Sequence, residues 1–116
     1  MKLRAPPPKC LAVDVDGTLI TDRGVNTTLV ETIRERHADG FDVVVWSMRG
    51  RVYAERAAAA AGIADLVICI SKPGYIVDDV GLDWLREVVV DGRVNPPRRL
   101  FGRPARRRGR LAVSLD

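Results

Sequence analysis

Two aspartates separated by one residue, Asp14 and Asp16, follow an apolar run in the segment CLAVDVDGT. A carboxylate at the end of a buried strand is costly unless a partner stabilises its charge. Carboxylate oxygens are also the ligands that bind divalent cations such as Mg²⁺. The two aspartates therefore indicate a site whose chemistry depends on negative charge held in a fixed place.

Polar residues also follow three later apolar runs, VVVW, DLVICI and YIV. If these runs are parallel strands, their carboxyl ends meet at one edge of the sheet, where open α/β sheets bind ligands. Four carboxylates and one lysine would then converge, and the lysine alone cannot neutralise them. A histidine-free, oxygen-rich site favours Mg²⁺, which commonly also binds substrate phosphate. The residues that follow the later runs are Ser47, Ser71, Lys72, Asp78 and Asp79.

The elements that must position these residues alternate between strands and helices. Apolar runs predict strands over 10–15, 41–47 and 65–71, with a short fourth strand over 75–79. Helices are predicted from Asn26 or Thr28 to Gly40, over 51–62 and over 82–90, and segment 17–26 reads as turns or a short hairpin. Either Asn26 or Thr28 could cap the first helix, Thr28 through a capping box with Glu31. This order predicts a three-layer α/β/α, Rossmann-like fold with a parallel sheet.

Charge divides the chain of 116 residues into a mildly acidic body and a basic tail. Residues 1–92 carry 11 Lys/Arg and 14 Asp/Glu, a net charge of −3, whereas 93–116 carry 8 Arg and one Asp, a net charge of +7. We expect a proline-rich extended arm over 1–8, one domain over 9–94 and a basic tail over 95–116. The sequence contains neither a membrane-length apolar stretch nor a signal-peptide pattern, which favours the cytoplasm. Cys10 and Cys69 are expected to be reduced, buried thiols.

The order of these motifs resembles that of the haloacid dehalogenase superfamily of phosphotransferases. DVDGT is similar to the first motif of that family, VVVWS to the second, SKP to the third and IVDD to the fourth. The resemblance covers about residues 9–90 and stops at the tail. It implies a Rossmann-like domain with phosphatase activity and a bound Mg²⁺.

The resemblance also implies a role for each site residue. Asp14 would be the nucleophile that forms an aspartyl-phosphate, and Asp16 the general acid and then the general base. Ser47 would hydrogen-bond the phosphoryl group, and Lys72 would stabilise its charge. The metal would be held by the residues Asp14, Asp16, Asp78 and Asp79. Asp79 and Asp83 also fit another form of the fourth motif, D-x-x-x-D, and Arg49 is a candidate phosphate contact.

The sequence leaves no room for the cap domain that many members of this superfamily carry. Only about ten residues separate Asp16 from the first helix, and one helix and one strand fill the interval from Ser47 to Lys72. An uncapped site resembles those of members that act on macromolecules, or whose oligomeric neighbours cover the site. SMRGR and DD also resemble, more weakly, the phosphatase domain of polynucleotide kinase-phosphatases. A polynucleotide end is therefore a candidate substrate, and the basic tail a candidate nucleic-acid contact.

Two other functions compete with a phosphatase. A phosphate- or nucleic-acid-binding module without catalysis could use the same scaffold, although such a module need not keep both Asp14 and Asp16. A receiver-type phosphoacceptor domain also combines Asp, Ser/Thr and Lys on a parallel sheet. There the phosphorylated Asp ends a later strand, and here no Asp ends the second or third predicted strand. Each site residue also has a structural alternative: a turn for Asp14 and Asp16, a helix cap for Ser47, Asp78 and Asp79, and a surface position for Arg49 and Lys72.

Overall fold

The computed structural model of this chain describes residues 7–82, 84–87 and 89. Five strands and two helices lie within these residues. In chain order they are β1 (Cys10–Asp14), β2 (Ile20–Thr21), β3 (Gly24–Val25), α1 (Thr27–Ala38), β4 (Asp42–Ser47), α2 (Arg51–Ala60) and β5 (Ile68–Ser71).

The main sheet has three parallel strands in the order β1-β4-β5. Its register places Val13 beside Val45 and Val45 beside Cys69. Parallel neighbours require crossover connections, and α1 and α2 supply them. The structure thus confirms the mixed α/β class and the parallel pairing predicted from the alternation of apolar runs.

The core lies on one face of this sheet. Val13 of β1 and Val43 and Val45 of β4 point to that face, because side chains two residues apart share a side of a strand. Both helices contribute to the same apolar cluster, α1 with two large side chains and α2 with three alanines. The members from the helices are Leu29, Ile33, Ala54, Ala57 and Ala58. Small side chains on α2 allow the helix backbone to approach the sheet closely.

The opposite face of the sheet is more open. Ala12 is exposed, Trp46 is half-buried, and Ile68 and Ile70 have relative exposures of 57% and 38%. The described residues therefore form two layers, helices on sheet, and the third layer of the predicted α/β/α arrangement is not observed among them.

A short hairpin and a capped helix connect β1 to β4. β2 and β3 pair antiparallel, with Ile20 opposite Val25, as the turn-rich segment predicts. Asn26 then caps α1: its side chain accepts a hydrogen bond from the Leu29 amide at 3.1 Å and donates to the Thr18 carbonyl at 3.1 Å. Of the two predicted caps, the structure selects Asn26, because its amide group also ties the helix start to the loop after β1.

Three expectations differ from the structure. Residues 75–79 form no strand, and the described residues of 82–90 form no helix. The described apolar side chains between 75 and 89 do not join the core, and Val77 is 83% exposed. Cys10 is exposed and Cys69 is half-buried, so the prediction of two buried thiols was wrong.

Most residues of the predicted arm and tail lie outside the described residues. Of the arm over 1–8, only Pro7 and Pro8 are described, and both are exposed. The tail over 95–116 lies outside the described residues. In the part of the chain that is described, no helix has the length and apolarity needed to cross a membrane.

Candidate active site

Three neighbouring strand ends bring most of the predicted site residues to one edge of the sheet. β1 ends at Asp14, β4 at Ser47 and β5 at Ser71, directly before Lys72. Ser47 and Ser71 are paired in the register, and the Lys72 amide donates to the Ser47 carbonyl at 2.9 Å. This last hydrogen bond extends the β4–β5 pairing by one residue and so places the lysine at the edge where β1 ends.

Asp14 and Lys72 form an ion pair across this edge. The lysine Nζ lies 3.8 Å from Oδ1 of Asp14. The exposed fraction of the side chain is 33% for Asp14 and 38% for Lys72. A contact at this distance and exposure is weak as a source of stability. It does place a positive charge beside an accessible carboxylate, which suits a ligand that brings further negative charge.

A tight loop follows Asp14 and separates it from Asp16. The Asp14 carbonyl accepts a hydrogen bond from the Leu19 amide, and the Val15 carbonyl accepts from the amides of Thr18 and Ile20. Gly17 within this loop has a φ of 79°, a conformation that glycine adopts without steric cost. The loop folds back on the strand end and leaves the Asp16 side chain exposed beyond it.

Ser47 is buried at the end of β4, with 2% of the residue exposed to solvent. Its Oγ accepts a hydrogen bond from the Arg49 amide at 2.9 Å. A hydroxyl that accepts in this way still has its own proton to donate. Ser47 also does not serve as the cap of α2, because Gly50 occupies that position with φ 104° and ψ 170°, a region that only glycine adopts readily.

Asp16, Arg49 and Tyr53 form a second cluster at the same edge. Tyr53 donates its hydroxyl proton to Oδ1 of Asp16 at 2.5 Å, and Arg49 Nη1 lies 3.4 Å from Oδ2. The guanidinium also lies over the Tyr53 ring, 4.2 Å from its centroid, and donates to the tyrosine hydroxyl at 3.3 Å. The hydrogen bond to Asp16 is the main reason that the pKa of Tyr53 is raised above its ordinary value of 10.0, with desolvation as a smaller cause.

Tyr53 is the site residue that the sequence analysis missed. The available signal was its position: Tyr53 lies in the first turn of the predicted helix over 51–62, six residues after Ser47 at the end of the second predicted strand. Because α2 begins just after the end of β4, its first turn lies next to the strand ends. A tyrosine there can reach a side chain from the β1 loop.

Asp78 and Asp79 form no three-membered metal-binding group with other acidic side chains of the described residues. Oδ1 of Asp78 accepts a hydrogen bond from the Val80 amide at 2.9 Å, and this bond is the main cause of a pKa below the usual value of 3.8. Across residues 7–82, 84–87 and 89, no three His, Cys, Asp or Glu side chains lie close enough together to hold a metal ion. Asp83, the alternative partner in the fourth motif, is outside the described residues.

The donor chemistry at the end of β1 nevertheless suits Mg²⁺. The Asp14 carboxylate and the main-chain carbonyl of Asp16 are hard oxygen donors, and Mg²⁺ is commonly bound by one or two carboxylates together with water and phosphate oxygens. The structure thus gathers Asp14, Asp16, Ser47, Arg49 and Lys72 at one edge, and among the described residues the predicted ligands Asp78 and Asp79 form no group of three metal-ligating side chains with them.

Comparison with models of known protein families finds no match to this chain, and comparison with curated proteins finds none either. The geometry of the site and the motif order in the sequence are therefore the two features that bear on function.

Proposed function

We propose that this protein is a Mg²⁺-dependent phosphomonoesterase of the haloacid dehalogenase type, with no cap domain, that acts through an aspartyl-phosphate on Asp14. The observation that carries the proposal is the ion pair of Asp14 with Lys72, at 3.8 Å, at the ends of β1 and β5, the two strands that flank β4 in the parallel sheet. The buried hydroxyl of Ser47 at the end of β4, between these two strands, supports it. These are the nucleophile, the cation and the hydroxyl that the motif order assigns to phosphoryl transfer.

The first chemical step forms a bond between a carboxylate oxygen of Asp14 and phosphorus and breaks the bond from phosphorus to the ester oxygen. The departing oxygen takes a proton from Asp16. In the second step a water molecule attacks the phosphorus, gives its proton to Asp16 and releases inorganic phosphate, which regenerates the Asp14 carboxylate. Asp16 thus alternates between acid and base, which requires its carboxyl group to stay close to the reacting oxygen.

Lys72, Ser47 and Arg49 supply the contacts to the phosphoryl group. Lys72 neutralises part of its charge beside Asp14, and Ser47 donates the hydroxyl proton that its hydrogen bond with the Arg49 amide leaves free. The Arg49 guanidinium, 64% exposed as a side chain, can bind a phosphate oxygen because its present contact with Asp16 is long. All three are therefore proposed as substrate-binding residues.

Mg²⁺ is the proposed cofactor, held by the Asp14 carboxylate and the Asp16 main-chain carbonyl, with Asp78 and Asp79 as further ligands. When bound, it would neutralise charge on the phosphoryl group and on Asp14. The proposed role of the last two ligands rests on the motif order alone. It requires Asp78 and Asp79 to form a group with Asp14 that the described residues do not form in this structure.

The substrate is proposed to be an accessible phosphate monoester, such as a polynucleotide end. Between β1 and α1 the chain holds only the β2–β3 hairpin, and between β4 and β5 only α2 and short loops. Neither interval contains a cap domain, and the Asp14 side chain keeps 33% of its surface exposed. We also propose that the complete domain has the three-layer α/β/α arrangement, with a layer on the open face of the sheet, and that the protein acts in the cytoplasm.

The test compares two substitutions that make the same chemical change. Asp14→Asn keeps the shape of the side chain but removes the nucleophile, whereas Asp65→Asn alters an exposed aspartate in the loop before β5, at the opposite end of that strand. We expect p-nitrophenyl phosphate turnover that requires Mg²⁺, is lost on chelation, falls by at least about 10⁴-fold in Asp14→Asn and is unchanged in Asp65→Asn. Full turnover by a folded Asp14→Asn protein would show that another residue is the nucleophile.

The same assay addresses the alternative of a binding module without catalysis. If the wild-type protein binds inorganic phosphate or a phosphorylated oligonucleotide but hydrolyses no ester with any divalent metal, the site binds phosphate without catalysis. The loss of that binding in Lys72→Ala would then place the ligand at the Asp14–Lys72 edge.

A further inference from the structure

The Asp16 carboxylate is held by a side chain that the motif order does not include. Tyr53 donates to one of its oxygens at 2.5 Å, the shortest of the side-chain hydrogen bonds described. Arg49 contacts the other oxygen at 3.4 Å, close to the limit for a hydrogen bond. The two oxygens of Asp16 are therefore held unequally, one tightly by Tyr53 and one loosely by Arg49.

Asp16 needs such a partner because its own segment does not fix it. The side chain is 51% exposed and projects from a loop, so neighbouring atoms leave several rotamers open to it. Tyr53 comes from the first turns of α2, whose Ala54 and Ala57 are buried in the core. A rigid aromatic side chain on a packed helix can therefore hold the carboxylate in one orientation.

Arg49 completes the arrangement from the other side. Its guanidinium lies over the Tyr53 ring and donates to the tyrosine hydroxyl, which restrains the hydroxyl that donates to Asp16. Stacking of this kind is favourable because the ring face is electron-rich.

We propose that Tyr53 is a positioning residue for Asp16. Its hydroxyl fixes Oδ1, so that the loosely held Oδ2 exchanges the proton with the ester oxygen in the first step and with water in the second. This inference rests on the proposed phosphatase function. It extends that function by assigning a role to a residue of α2 outside the four motifs.

The first test uses Tyr53→Phe and a series of phosphate esters. The value of kcat/KM reports the first step, in which a poor leaving group needs protonation and p-nitrophenolate does not. We expect kcat/KM to fall about 10-fold for an alkyl phosphate, part of the full effect of a general acid, and to stay within about 2-fold for p-nitrophenyl phosphate. For p-nitrophenyl phosphate kcat should still fall, because hydrolysis of the aspartyl-phosphate needs Asp16 as a base.

Tyr75→Phe is the matched control. It removes the hydroxyl of the only other tyrosine in the sequence, which is exposed, and should leave kcat/KM and kcat unchanged for both substrates. An equal fall of kcat/KM for all esters in Tyr53→Phe would indicate a general structural role and overturn the inference, as would no fall of kcat/KM for any ester. A wild-type protein that hydrolyses no ester would refute the phosphatase proposal itself, and the inference with it.

The second test needs neither turnover nor metal. The Tm of the full chain is measured in the presence of a chelator for Tyr53→Phe, Asp16→Ala and the double variant. If the Tyr53 hydroxyl holds Asp16, Tyr53→Phe lowers the Tm more when Asp16 is present than when Asp16→Ala has already removed the acceptor, because only the contact of Arg49 with the hydroxyl is then lost. The same shift in both backgrounds would mean that the hydroxyl does not hold Asp16 and would overturn the inference, even if the Phe variant lost activity.

Discussion

At the scale of single residues, the site contains groups that the sequence could name and contacts that it could not. Asp14, Ser47 and Lys72 were predicted because each follows an apolar run, and the structure places all three at one edge. Tyr53 was not predicted because it belongs to a helix whose orientation depends on how α2 packs. Which side chain of a helix reaches a neighbouring loop is a property of the tertiary structure.

Environment also distinguishes the two cysteines, which the sequence analysis treated alike. Cys10 is exposed, whereas Cys69 is half-buried with a raised pKa, first because of desolvation and second because of the negative charge of Glu55. The thiolate is the reactive form, so a higher pKa slows alkylation. We expect iodoacetamide at neutral pH to modify Cys10 several-fold faster than Cys69.

Mass spectrometry of the Cys10→Ser and Cys69→Ser variants measures each thiol separately. Glu55→Gln should speed the reaction of Cys69, and Glu31→Gln on α1 should not. Equal rates at the two thiols would contradict the difference in environment.

At the scale of elements, the sequence predicts best the segments that have both an apolar pattern and a residue that marks where the element begins or ends. β1, β4 and both helices combine an apolar pattern with a clear start or stop, such as Asn26 before α1 or Gly62 after α2. The segment after Lys72 has an apolar pattern, but among the described residues no neighbouring strand pairs with it over 75–79. Ile76 and Val77 are exposed, and no strand forms there. A strand needs a neighbour and a short helix needs a surface to pack on. The apolar pattern alone specifies neither.

The cap of α1 gives a prediction about stability. Asn26 is 6% exposed, caps Leu29 and donates to Thr18, so Asn26→Ala removes the helix cap and a tie to the loop after β1. We expect a loss of about 1–2 kcal/mol in the free energy of unfolding, measured by urea denaturation. Thr28→Ala, at the alternative predicted cap, should change it by less than about 0.5 kcal/mol. A larger effect at Thr28 than at Asn26 would contradict the observed cap.

At the scale of the whole molecule, charge and access to the site act together. Residues 1–92 are mildly acidic, their described part leaves the Asp14 side chain 33% exposed, and the segment 93–116 has a net charge of +7. A basic segment attracts polyanions, and arginine binds phosphate with two parallel hydrogen bonds. An open site accepts a phosphate at the end of a large substrate, which a capped site excludes. Both features thus favour a polynucleotide over a small metabolite as the proposed substrate. If the tail only aids solubility, the residues of the site alone determine which substrate is bound.

The tail is tested in the full chain by replacing Arg106, Arg107 and Arg108 with glutamine. Phosphate contacts release counterions from nucleic acid, so three fewer contacts should lower the slope of log affinity against log salt by about 2 for a single-stranded oligonucleotide. We expect weaker binding and slower turnover of a 5′- or 3′-phosphorylated oligonucleotide at low salt, the same loss for every base sequence, and unchanged turnover of p-nitrophenyl phosphate.

The control replaces three arginines of the body, Arg23, Arg56 and Arg86, and therefore changes the net charge equally. If both triple variants weaken binding to the same extent, the effect is one of overall charge. If neither does, the tail is not a nucleic-acid contact and a small phosphate ester becomes the better substrate. A loss confined to the tail variant, and abolished at high salt, would show that the arginines bring a polyanion to the open site.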